Sequence, residues 1–145
     1  MRTSFKLMTW VAAALLMPTL AATQAPAARG TSPAAHQAAD SRPMIVKIQA
    51  DWCAKCRSIN KTWAQIEEEL SDEARIVVLD VTDEKRTAAS KRLAAELGIS
   101  EFFAAFRAKT GTVAFFEPGA KTPSRVLIAE KDFAAYRKAL GEVTT

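Results

Sequence analysis

An apolar, β-rich stretch, Met44-Ile-Val-Lys-Ile-Gln-Ala50, runs straight into Asp51-Trp52-Cys53-Ala54-Lys55-Cys56. Behind it Ile59, Trp63, Ile66 and Leu70 recur at spacings of four, three and four, one face of a helix. The pattern predicts a buried strand over 44–50, despite Lys47, and a helix from about Cys53 to Leu70. Both cysteines of the chain therefore fall in the first helical turn after a strand.

The remaining elements follow from similar signals. Arg75-Ile-Val-Val-Leu-Asp80 reads as a second short strand bounded by charged residues. A helix is predicted from about Asp83 to Leu97, opened by Thr82 or Asp83 and stopped by Gly98. This β-α-β-α order favours parallel pairing through a right-handed crossover. Ser100 to Gly111 suits a short helix better than a strand. Ser100 is a good N-cap, Phe102, Phe103 and Phe106 fall at i, i+1 and i+4, and Gly111 sits where a helix ends. Thr112 to Glu117 is then a strand, Pro118-Gly119 a turn, and Arg125 to Ala129 a returning hairpin strand. Phe133, Tyr136 and Leu140 mark a last amphipathic helix. The folded part is expected from Pro43 to about Leu140, one domain with a real core.

The amino terminus reads as an address. Arg2 and Lys6 precede an apolar run from Leu7 to Met17 and then Pro-Thr-Leu-Ala-Ala, the pattern of a secretory signal over residues 1–22, cleaved near Ala21 or Ala22. The apolar run is too short for a spanning helix, which needs about 20 residues. The expected location is periplasmic or otherwise secreted, with the membrane touched only through this signal. Residues 23–42 are rich in alanine with scattered Pro, Ser, Thr and Gln, and read as a flexible linker. The one histidine, His36, lies there and is read as a solvated bystander. The formal charge of +4 falls to +2 without Arg2 and Lys6, leaving 18 basic against 16 acidic residues. No basic stripe with interleaved aromatics exists, so no nucleic-acid partner is expected.

Scarcity excludes most other chemistry. Two cysteines and one histidine cannot make a four-thiolate zinc site or a two-histidine metal site within one chain. Five glycines include no phosphate-cradling loop. The thiol pair remains. A cysteine at a strand-to-helix junction faces unpaired N–H groups that favour its thiolate. Cys56, one turn later, is close enough to attack a mixed disulfide formed on Cys53. Lys55 adds a nearby charge, and Trp52 an apolar flank. A structural disulfide is a weaker explanation, since a four-residue loop gives only about 2 kcal/mol. A two-coordinate Cu(I) site and a coincidental pair of core cysteines also compete with redox chemistry for these residues.

Ala50-Asp51-Trp52-Cys53-Ala54-Lys55-Cys56, set after an apolar strand, resembles the active-site segment of the thioredoxin superfamily, in its exported and thiol:disulfide interchange members. The resemblance spans about Met44 to Leu140. It implies an α/β, thioredoxin-like fold, β-α-β-α-β-β-α, with a central mixed sheet flanked by helices. It also implies Cys53 as attacking thiol, Cys56 as resolving thiol, and no cofactor beyond a redox-active Cys53–Cys56 disulfide. The implied partners are protein or peptide disulfides and a membrane redox partner.

Two departures stand out. Such families carry a cis-proline, usually followed by threonine, before the third strand. Gly111-Thr112 looks like that place, which makes both residues candidates for substrate binding beside Trp52. A rival register puts Phe103 there. Thioredoxins also often carry a buried acid six residues before the first cysteine, and here that residue is Lys47. Lys47 either snorkels to water or lies near Cys56 and depresses its pKa. Asp51 is the nearby substitute for the missing carboxylate. The expected function is an exported thiol-disulfide oxidoreductase with a lean to reduction. A copper-binding module and a thioredoxin-fold interaction protein of low turnover are the competing expectations.

Overall fold

β1 (Met44–Gln49) is the strand on which the sheet is built. It pairs parallel with β2 (Arg75–Asp80) on one side and antiparallel with β3 (Thr112–Phe116) on the other. β3 pairs antiparallel with β4 (Arg125–Ile128), so the four-stranded mixed sheet runs β2-β1-β3-β4. The structure, a computed structural model, describes residues 41–144. The expected signal, nearly all of the expected linker and His36 lie outside the described residues.

Alternation along β1 divides the core in two. Ile45 points to one face and packs with Trp63, Ile66 and Leu70 of α2 (Asn60–Leu70) and with Tyr136 and Leu140 of α5 (Phe133–Val143). Val46 and Ile48 point to the other, against Ala94 of α3 (Glu84–Glu96) and Phe102 and Phe103 of α4 (Ser100–Phe106). All five residues of β3 are buried, because both faces of that strand are covered. The result is three layers, helices on either side of the sheet.

The predicted helix from Cys53 to Leu70 is two helices. α1 (Ala54–Ser58) ends at Ile59, and α2 begins at the next residue. The Ser58 hydroxyl donates to the Lys55 carbonyl at 2.8 Å, the acceptor that the Ile59 N–H would take in a continuous helix. The Ile59 N–H turns to the Cys56 carbonyl instead, at 3.3 Å. Local side-chain bonding of this kind bends helices, and spacing of apolar residues does not report it.

The short helix after Gly98 is present, but its ends differ from expectation. Gly98, at φ +73°, closes α3 with its N–H on the Ala95 carbonyl and that of Ile99 on the Ala94 carbonyl. This turn leaves Ile99 as the N-cap of α4 and makes Ser100 its first helical residue, with no side-chain cap. α4 stops at Phe106, well before Gly111, whose N–H belongs to the sheet.

Tyr136, the one tyrosine of the chain, is fully buried and donates from its hydroxyl to the Glu130 carbonyl at 2.7 Å. Burial, with the Glu130 charge, pushes its pKa up to about 12. A pKa raised by folding means stability that is intact below the unfolded value of about 10 and lost as pH rises towards 12. Tyr136→Phe should cost about 1 kcal/mol in a denaturant titration at neutral pH and remove this contribution to alkaline unfolding.

Candidate active site

The β1–α1 junction builds the site. Cys53, in extended conformation, is the N-cap of α1, and its Sγ accepts the Cys56 N–H at 3.0 Å. A thiol thus does the work that serine or aspartate usually does at a helix start. Cys56, on α1, lies with its Sγ 3.9 Å from the Ile48 carbonyl at the end of β1. Both thiols are free, 5% and 2% exposed, and cluster with Ala50 and Val81. Cys53 is thus the more accessible of the two.

Their ionisation is split. Desolvation pushes the Cys53 pKa up, but hydrogen bonds from the Cys56 thiol, Thr110 and the N–H groups of Cys56 and Lys55 outweigh it and leave it below the ordinary thiol value. Desolvation also raises Cys56, and there it prevails, reinforced by the Cys53 hydrogen bond and charge against the Ala50 backbone and Lys47. One thiol is prepared as a nucleophile and the other is held protonated. Lys55 helps Cys53 through its backbone N–H, while its exposed side chain is the neighbour of Gly111.

The rim is a hydrogen-bonded loop. Trp52 is 61% exposed, yet its indole N–H donates to the Thr82 carbonyl at 3.0 Å. The Asp51 N–H donates to the Thr82 hydroxyl, which in turn donates to the Asp80 carboxylate at 2.6 Å. Arg86 bridges Asp51 at 2.8 Å and Asp80 at 3.3 Å. The Asp51 carboxylate is therefore exposed and engaged with Arg86 at the rim, which argues against its standing in for a buried acid beside Cys56. Desolvation raises the Asp80 pKa, and its bonds from Thr82 and Arg86 bring it below the usual carboxylate value.

Lys47 does not snorkel. It is 1% exposed, with its ammonium 4.7 Å from the centre of the Trp63 ring. Desolvation lowers its pKa, and the charges of Cys56, Glu67 and Cys53 draw it back up. Trp63 also donates from its indole N–H to Glu67 at 2.8 Å.

Gly111 sits against the thiol turn. Its N–H donates to the Ile48 carbonyl at 2.8 Å and its carbonyl accepts from Ala129 at 2.9 Å. A Cβ at this position would lie 2.9 Å from the Lys55 Cβ. The rival, Phe103, is buried in the opposite core with α4. Thr112 is fully buried, its hydroxyl on the Lys109 carbonyl at 2.6 Å, so its side chain offers nothing to a substrate. Thr110, in the loop just before β3, reaches Cys53 with a side-chain hydrogen bond. Nothing in the sequence pattern points to Thr110 or Thr82, because each acts through a loop contact that no spacing encodes. Among the described residues, no group of three or more His, Cys, Asp or Glu could hold a metal ion.

A family model for thioredoxin matches residues 32–100. A solved thioredoxin-like protein in its oxidised form aligns over 72% of this chain and 81% of its own, with a TM-score of 0.50 at 12% identity, a likeness of fold. The thioredoxin match over residues 32–100 and the observed fold support the thioredoxin-like superfamily. The thiol:disulfide interchange protein TxlA of Synechococcus elongatus is 31% identical over 68 residues, 47% of this chain. The match covers 36% of that protein, so this thioredoxin-like chain spans little more than a third of its curated relative. Trxlp from Edwardsiella tarda EIB202 aligns over 72% of this chain and 87% of its own at 20% identity, with a TM-score of 0.49.

Within this thioredoxin-like site Gly111 stands where proline is expected, and no described peptide bond is cis. Gly111 has φ +82°, which proline cannot adopt, and it donates the N–H that proline lacks. Gly111→Pro, which restores the familiar residue, should destabilise the domain by about 3 kcal/mol in urea titration rather than strengthen it. Alkylation of the reduced chain by iodoacetamide should modify Cys53 before Cys56, with an apparent pKa below that of an ordinary thiol. Thr110→Val should move that apparent pKa upward, since a hydrogen bond to the thiolate is lost.

Proposed function

We propose that the chain is an exported thiol-disulfide oxidoreductase of protein or peptide disulfides, with a lean to reduction. The observation that carries the reading is the divided pair: an N-cap thiol favoured as thiolate beside a buried thiol that stays protonated. The Cys53 thiolate attacks a substrate disulfide, forming a mixed disulfide and releasing one substrate thiolate, which takes up a proton. Cys56 then loses its proton and attacks Cys53 Sγ. The Cys53–substrate bond breaks, the second substrate sulfur leaves as a thiol, and the Cys53–Cys56 disulfide remains. The substrate gains two electrons and the pair loses two. Exposed Trp52 supplies an apolar platform at the mouth, and Gly111 a close backbone approach.

Export is supported by the charged, apolar and small-residue order of residues 1–22. A reductase outside the cytosol needs an electron donor at the membrane to reset the pair, and that donor is the proposed partner. Recovery of the chain from cells with Met1 still in place would count against export. Among the described residues, no helix is long and apolar enough to cross a membrane.

Insulin reduction separates this reading from its competitors. The wild type should turn over. Cys53→Ser should abolish reaction, and Cys56→Ser should stop after one event with substrate trapped on Cys53. Absence of thiol-dependent turnover in either direction overturns the reading, and Cu(I) retention against glutathione would then favour a metal carrier.

A further inference from the structure

The second half of that cycle has a difficulty. Cys56 must become a thiolate to attack, yet it is 2% exposed and burial raises its pKa. No described carboxylate is buried beneath it: Asp51 is held at the rim by Arg86, and Glu67 is an exposed residue of α2. What does act on it is a cation, since the Lys47 charge draws the Cys56 pKa down. Lys47 points from β1 to the same side of the sheet as Ile45, the side covered by α2. Its successor in β1, Ile48, carries the carbonyl on which Cys56 Sγ rests.

We propose that Lys47 is a positioning residue for the resolving step: a buried cation, held in place by the Trp63 ring, that stabilises the thiolate Cys56 forms as it attacks the mixed disulfide. The proposal rests on the oxidoreductase reading above. It assigns electrostatic work to a place where thioredoxins often carry a proton-accepting acid. The step balances as before. The Cys56 proton leaves, the Cys56–Cys53 bond forms, the Cys53–substrate bond breaks, and the departing sulfur takes a proton.

The surroundings suit this role. The register neighbours of Lys47 on β2 and β3 are Val78 and Val113, which carry no charge. From α2 it meets the π face of Trp63, and the Glu67 charge acts on it from the surface. From α5, Tyr136 stays neutral, with its hydroxyl committed to Glu130. Of the charges that act on the ammonium, Cys56 is the strongest, followed by Glu67 and then Cys53. A charge-to-thiolate attraction in such a partly dry site is worth far more than at the surface. A cation–π contact keeps the ammonium in place without neutralising it.

The test uses the full chain, reduced, with oxidised glutathione as the probe disulfide. Acid quenching and mass spectrometry follow the single glutathione adduct on Cys53 as it forms and is expelled by Cys56. In Lys47→Met the adduct should persist about tenfold longer at neutral pH, one pKa unit of lost thiolate stabilisation. The difference should vanish at high pH, where Cys56 ionises unaided. Lys47→Gln, neutral but polar, should behave alike and serves if the methionine variant does not fold. Unchanged persistence overturns the proposal, as does a slowdown equal at every pH, which marks a merely structural role. A wild type that forms no adduct defeats the oxidoreductase reading and this proposal with it. A wild type that forms and expels the adduct as fast as Lys47→Met defeats the role of Lys47 alone.

Discussion

The carbonyl of Ile48, near the end of the central strand, is where the sheet, the thiol helix and the loop before β3 meet. It accepts the Gly111 N–H and lies against Cys56 Sγ. Because β1 is hydrogen-bonded on both sides, this carbonyl cannot shift without disturbing β2 and β3 together. The thiol pair is therefore anchored to the central strand, while the rim that carries Trp52 is tied through Thr82, Arg86 and Arg57, which donates to the Asp51 carbonyl.

Charge around the pair is arranged unusually for the superfamily. A lysine replaces the expected buried acid, and a glycine replaces the expected proline, and each substitution has a local physical complement. Lys47 is matched to the π face of Trp63. Gly111 is matched to the Lys55 stem, which leaves no room for a Cβ. In both places the neighbour suits the residue present. That fit explains how the site can depart from its relatives without leaving a buried side-chain polar atom unsatisfied among the described residues.

Much of the fold is legible in the sequence because its signals are local. Strand alternation, the Asp83 cap and the Gly98 stop place β1, β2 and α3 to within a residue or two. Pattern and structure part where a side chain or a turn overrides the period. Ser58 breaks the helix at Ile59, and the turn at Gly98 moves the cap from Ser100 to Ile99. At the site, Cys53 and Cys56 are readable because three residues of separation on a helix is itself a geometry. Thr110 is not, because it reaches Cys53 only after β3 has been laid beside β1.

By itself, then, the sequence determined that two thiols share one turn after a buried strand, since backbone geometry carries that information over six residues. Whether Lys47 lies in water or is buried over Trp63, where Asp51 and Thr112 are placed, and which neighbour fills the proline's place were decided by the tertiary structure alone. The reason is physical: these are questions of burial and of distance between strands far apart in the chain. Both quantities exist only once the sheet has closed.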